Sequence, residues 1–286
     1  MDIRFLVLVL TTLFLSSCVV SMDGLGGEAN YVDFAQSEPA GDEELLRAHV
    51  QLKVGQIEVE PGSNNNSYEL ELHYNELAFE PVVEFVREGE VADLSIGLEG
   101  EGKSFSGFGQ NRLFLRLSPE TPLELETNNG VGECNINLTG MKLRSLVLES
   151  GVGETTLRML EANPISCEEV RISSGVGELE LVGLGNLSFE ELEFQGGVGK
   201  ASLDFSGSWD TIGEVDIEVG VGGITLLLPT GIGAQIRATK TFMSDIEFPD
   251  FTKKGNVYYS KNIDQAEKVI KFRVKAGIGE VTLKWI

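Results

Sequence analysis

The tripeptide Gly-Val-Gly recurs at Gly130, Gly151, Gly175, Gly197 and Gly220, at spacings of 21, 24, 22 and 23 residues. Self-similarity at such a period marks stacked supersecondary units, none of which buries its apolar face alone. An alternating segment lies on either side of the glycines, as in SLVLES-GVGE-TTLRML and EVRISS-GVGE-LELVGL. Alternation of apolar and polar residues is the period of a half-buried strand. Two short strands and two turns then make one coil, and coils stacked at about 4.8 Å direct alternate Leu, Val, Ile and Phe into a shared interior. Glycine enters positive φ at the corner and lets neighbouring coils approach, leaving the intervening Val to turn inward. The expected fold is all-β, a single-chain β-solenoid or β-helix-like stack. Stacked hairpins share the spacing and are the alternative topology.

The first residues, MDIRFLVLVLTTLFLSSC, place Arg4 before an apolar run from Phe5 to Leu15. That length suits a signal h-region, not a bilayer span of about 20 residues. Leu15-Ser16-Ser17-Cys18 resembles a bacterial lipobox, which implies cleavage before Cys18 and acylation of its thiol and amine. Several acyl chains at about 0.8 kcal/mol per buried CH₂ make a lasting anchor. The expected division is a signal peptide over 1–17, a lipid anchor and flexible acidic linker over 18–46, a β-rich section over 47–118 and the repeat solenoid over 119–286. The body is expected to be exported. Val19 follows Cys18, so lipoprotein sorting would allow the outer membrane where a cell has two membranes, and otherwise the outer leaflet. EANPISCEEV and NIDQAEKV come nearest to a helical stripe, and both are short.

Charge narrows the partners. The chain carries 22 Lys and Arg against 45 Asp and Glu, a formal net charge of −23, which repels nucleic acid and anionic headgroups. Gly97-Leu98-Glu99-Gly100-Glu101-Gly102-Lys103-Ser104 satisfies the phosphate-loop pattern. FSGFGQNRLFLRL follows it, however, where the motif needs a helix N-terminus, and Glu99 and Glu101 would repel phosphate. Neither nucleotide nor cofactor binding is expected. Cys134 and Cys167 are either two buried thiols or one disulfide, since an exported chain permits both. His49 and His73 stand in strand patterns without metal-ligand or triad spacing, so no catalytic residue is assigned.

Two constellations remain. Glu133, Glu154, Glu178 and Lys200 follow successive GVG corners, so in a solenoid they form a ladder. Its three carboxylates either splay into water or hold a divalent cation. Between Gly233 and Ala276 the repeat breaks, and Phe248, Phe251, Lys253, Lys254, Tyr258 and Tyr259 gather aromatic and basic residues in an acidic chain. They form either a partner face or a cap on the core. Trp285, in an apolar terminal strand, is placed to seal the last coil.

The GVGE corners, LDFSGSWD at Leu203 to Asp210, the closing AGIGEVTLKWI and the upstream LHYNELAFEPVVEF together resemble the bacterial toast rack family. That family is similar in turn to adhesin domains and to the C-terminal domains of LiaF-type envelope-stress regulators. The resemblance runs from about residue 47 to the end and implies the fold. It carries no catalytic residues. The functional expectation is a non-enzymatic, adhesin-like binding or scaffold lipoprotein of the cell envelope, contacting an envelope protein or a surface polymer. A regulatory partner in an envelope-stress system and a polysaccharide-active solenoid enzyme are the alternatives.

Overall fold

The computed structural model of the chain describes residues 29–100, 110–209, 213–241 and 243–286. Cys18 and the segment Gly102 to Ser104 lie outside the described residues. The strands, in chain order, are β1 (Tyr31–Pro39), β2 (Leu45–Val54), β3 (Gln56–Pro61), β4 (Asn66–Asn75), β5 (Glu80–Glu88), β6 (Val91–Glu99), β7 (Arg112–Leu117), β8 (Leu123–Asn137) and β9 (Leu143–Arg158). They continue with β10 (Cys167–Val182), β11 (Phe189–Asp204), β12 (Glu214–Leu228), β13 (Gly233–Lys240), β14 (Ser244–Glu247), β15 (Phe251–Lys254), β16 (Val257–Ser260) and β17 (Val269–Trp285).

Strands β8, β9, β10, β11 and β12 pair in parallel and in register, with Gly132, Gly153, Gly177, Gly199 and Gly222 in one column. Parallel pairing excludes the stacked-hairpin alternative for the repeats. Each long strand bends at its GVG, giving a first arm before the corner and a second arm after it. Inward alternation holds on both arms: Leu146 and Leu148 before one corner and Leu157 after it are fully buried. One apolar core runs the length of the stack.

The stack begins before the first GVG. Val54 lies beside Val131 and Ile57 beside Cys134, so β2 and β3 are the two arms of an earlier rung with its corner at Gly55. Segment 31–39, expected to be flexible linker, is instead strand β1, antiparallel to β4. Its Val32 and Phe34 pack on the core and Gln36 donates to the Tyr68 hydroxyl at 2.8 Å. The following turn is held by Glu43, whose carboxylate accepts from Ser67, the Gly41 amide and Arg87. Burial alone would raise the Glu43 pKa, but these hydrogen bonds outweigh it and lower it.

At the other end the chain departs from simple winding. After β12 it lays down β13 and β14 as a further rung, extends β13 outward with the antiparallel strands β16 and β15, and returns with β17 between β12 and β13/β14. Gly279 joins the corner column beside Gly222. The last strand is therefore not the last rung. Trp285 stacks on Phe251 at 5.7 Å and donates to the Pro249 carbonyl at 3.2 Å, fastening the terminal hairpin.

The intervening Val was expected to turn inward, but it points out. Val131, Val152, Val176, Val198 and Val221 are each 42–50% exposed. Flanking residues close the interior behind a corner, as where Thr155 donates to Ser150 at 2.9 Å with both side chains buried. The bend then leaves Val at the apex. Cys134 and Cys167 are free and buried, and burial pushes both thiols up to about 12.

Gly177 has φ +146°, and a Cβ there would sit 1.8 Å from the Gly153 carbonyl oxygen, whereas a Cβ on Gly223 meets nothing within 4 Å. Gly177→Ala should cost at least about 3 kcal/mol in denaturant unfolding, and Gly223→Ala less than about 0.5 kcal/mol. Equal effects would mean that the corner contact does not control stability.

Candidate binding surface

The outward Val residues form a line because their rungs are in register, and Ile278 of β17, 42% exposed, extends it beyond Val221. Six β-branched side chains at about 4.8 Å intervals make a continuous apolar ridge roughly 24 Å long. The exposed area is on the order of a few hundred Å², comparable to the largest patches on monomeric proteins.

Open grooves flank the ridge. On the second arm a groove of about 850 Å³ runs past Glu154, Glu178, Lys200, Thr156, Ser202 and Thr225. It is lined by a polar column of Thr156, Glu180, Ser202 and Thr225 on successive rungs, which Thr282 continues on β17. On the first arm a groove of about 520 Å³ is lined by Asn128, Glu149, Ser173, Gln195 and Glu218 with the corner glycines. Missing side chains at those glycines make the channels beside the ridge.

The rest of the first arm's outer face is laced with ion pairs. Arg47 meets Glu124 at 3.0 Å, Arg144 meets Glu168 at 3.2 Å and Arg273 meets Glu214 at 2.7 Å. Exposed pairs contribute little stability individually, and this face is chemically occupied with itself. The ridge carries no charge, and among the described residues lining the second-arm groove only Glu180 is ion-paired, with Arg158 at 3.7 Å.

Glu133, Glu154 and Glu178 do stand side by side on β8, β9 and β10, with Lys200 next on β11. All four side chains are exposed. Among the described residues no group of three His, Cys, Asp or Glu side chains gathers where a metal ion could sit. Phe248, Phe251 and Tyr258 pack together on the C-terminal end of the core, with Phe248 to Tyr258 at 5.1 Å and Phe248 to Phe251 at 5.8 Å. Lys253 lies over Tyr258 at 4.9 Å and Lys254 over Tyr259 at 5.6 Å. His73 bonds Asp33 at 2.7 Å and His49 lies 3.4 Å from Glu126, both on strand surfaces. The Val ridge escaped sequence reasoning because strand alternation, applied through the corner, assigns those positions to the interior.

Residues 27–182 match the N-terminal domain of toast_rack, DUF2154. The chain belongs to the toast rack family. Among solved structures it is similar to a protein from Clostridium sporogenes named for cell adhesion, at 20% identity and TM-score 0.47, over 90% of this chain and 100% of that one. A Bacteroides fragilis protein named as an adhesin matches at 14% identity and TM-score 0.40, over 91% of this chain and 100% of that one. One from Parabacteroides distasonis, named for lipid binding, matches at 10% identity and TM-score 0.26, over 88% and 98%. No curated protein matches this toast rack chain.

Because the ladder carboxylates are free to splay into water, millimolar Ca²⁺ should leave the melting temperature unmoved. A rise that Glu154→Gln abolishes would establish the ladder as a cation site.

Proposed function

We propose that this toast rack protein is a non-enzymatic, adhesin-like scaffold of the bacterial cell envelope, anchored through Cys18, that holds an extended, uncharged surface polymer along its corner ridge. The observation that carries the reading is the unbroken Val-to-Ile278 ridge with an open groove on each side. A linear array repeating every ~4.8 Å suits a linear ligand. The apolar edge excludes water on one side of such a ligand, while Thr156, Ser202 and Thr225 offer hydroxyl hydrogen bonds on the other. A formal charge of −23 disfavours a polyanionic occupant.

The side chains of Val152 and Val176 point outward, so Val152→Asp/Val176→Asp should fold normally. It is expected to lose about tenfold or more in affinity for isolated surface polysaccharide, a change of about 1.4 kcal/mol. Equal capture by wild type and variant, with matching circular dichroism and melting, would remove the ridge as the binding element. Anchoring is checked separately: Cys18→Ala should move the chain from the membrane fraction to the soluble fraction and abolish labelling by an alkynyl fatty acid. Retention of both would show that Cys18 is not the lipidation site.

A further inference from the structure

The charge of the chain is divided unevenly along the stack. Residues 233–286 hold ten Lys or Arg against six Asp or Glu, while residues 1–232 hold twelve against 39. The two ends of the first-arm sheet show this directly. Its N-terminal edge is β5, which among the described strands pairs only with β6, and its C-terminal edge is β15, which pairs only with β16. On β5, Glu80, Glu84 and Glu88 are exposed on the outer face with Val86 between them, which is 50% exposed. On β15, Thr252, Lys253 and Lys254 are exposed. Register puts Lys254 on the outer face with Arg237, through Val257, which is paired with both. Among the described residues neither Lys253 nor Lys254 makes an ion pair, nor do Glu80, Glu84 and Glu88.

Strand polarity adds an independent match. Strand β6 runs parallel to β2, which is parallel to β8, and β5 runs against β6, so β5 opposes the stack direction. At the other end β13 is parallel to β17, β16 opposes β13 and β15 opposes β16, so β15 runs with the stack. When one copy follows another along the axis in the same orientation, β15 of the first meets β5 of the second antiparallel. That is the more stable ladder geometry.

From these observations we infer that the chain associates head to tail with a second copy of itself, the basic β15 edge of one copy pairing with the acidic β5 edge of the next. Charged edge strands ordinarily prevent sheet-to-sheet association. Here the charges prevent only like-with-like contact, since two β5 edges repel and two β15 edges repel. Unlike edges attract. The contact is heterologous and does not close, so it generates linear rows and not a two-fold dimer. Such rows would set successive ridges along one axis, and the inference stands whether or not the ridge binds a polymer.

The test is sedimentation velocity of the full chain in detergent at low ionic strength. Wild type should show a sedimentation coefficient that rises with concentration and falls back when salt is raised, as screened charges require. Lys253→Glu/Lys254→Glu has two acidic edges, Glu84→Lys/Glu88→Lys has two basic ones, and each alone should associate at least about tenfold more weakly than wild type. Mixing the two variants should restore association, because each acidic edge again finds a basic one. Restoration also shows that both variants are folded. A wild type that remains monomeric, association that ignores salt, or variants that associate like wild type would each overturn the inference.

Discussion

Backbones of successive rungs approach so closely at the corners that no side chain fits between them. In successive rungs the carbonyl oxygen of one corner glycine lies 1.8–1.9 Å from where the next rung's corner glycine would carry a Cβ, from Gly55 under Gly132 to Gly222 under Gly279. Only glycine fits there, and its positive φ turns the chain at the same place. The corner therefore fixes register as well as shape. A one-residue slip on any strand would bring a side chain into that contact and send its Leu and Ile residues to the opposite face. Core columns, polar ladder and apolar ridge all follow from a register set at the corner.

How much of this is legible in the sequence depends on how each rung meets its neighbours. The GVG period marks the middle rungs, and alternation marks inward residues such as Leu146, Leu148 and Leu157. Gly55 is harder to read because no glycine stands two residues before it. Lys53 occupies that place, and the neighbouring strand β6 pairs with β2 only as far as Gln51. A side chain is therefore tolerated at Lys53, although its own carbonyl still demands glycine at position 130 of the next rung. The ridge is hidden for another reason. Alternation describes a straight strand, and the corner is where the strand stops being straight. Val152 continues the inward parity of Leu148 and Ser150 but emerges at the apex.

The two outer faces differ in chemistry although the same backbone builds them. The first arm places Arg47, Arg144, Arg171 and Arg273 beside Glu and Asp on adjacent strands, consuming its charges across the sheet. Over the repeats the second arm carries a Glu-rich column and a Ser/Thr-rich column, with Arg158 and Glu180 paired at 3.7 Å, while Arg116 pairs with Glu60 and Glu71 at the N-terminal end. A face whose groups are already paired must break those pairs to bind anything else. The ridge and the second-arm groove present mostly unpaired, solvated groups, so the repeat gathers such groups along one line. A periodic surface has the shape for a periodic ligand.

The return of β17 explains why the rhythm breaks after Gly220 without breaking the stack. Its corner lies 57 residues beyond the corner of its neighbour β12, where successive corners from β8 to β12 are separated by 21 to 24. Loop closure grows only with the logarithm of length, so this excursion costs about 0.8 kcal/mol more than a regular coil. In exchange, the chain terminus becomes an interior rung, paired from Glu214–Lys271 to Leu228–Trp285 on one side and against β13 and β14 on the other. Strands from the excursion, not the terminus, form the exposed end. That is how Lys253 and Lys254 come to stand at the edge while the stack behind them remains acidic. The same detour that closes the core also gives the protein two chemically distinct ends.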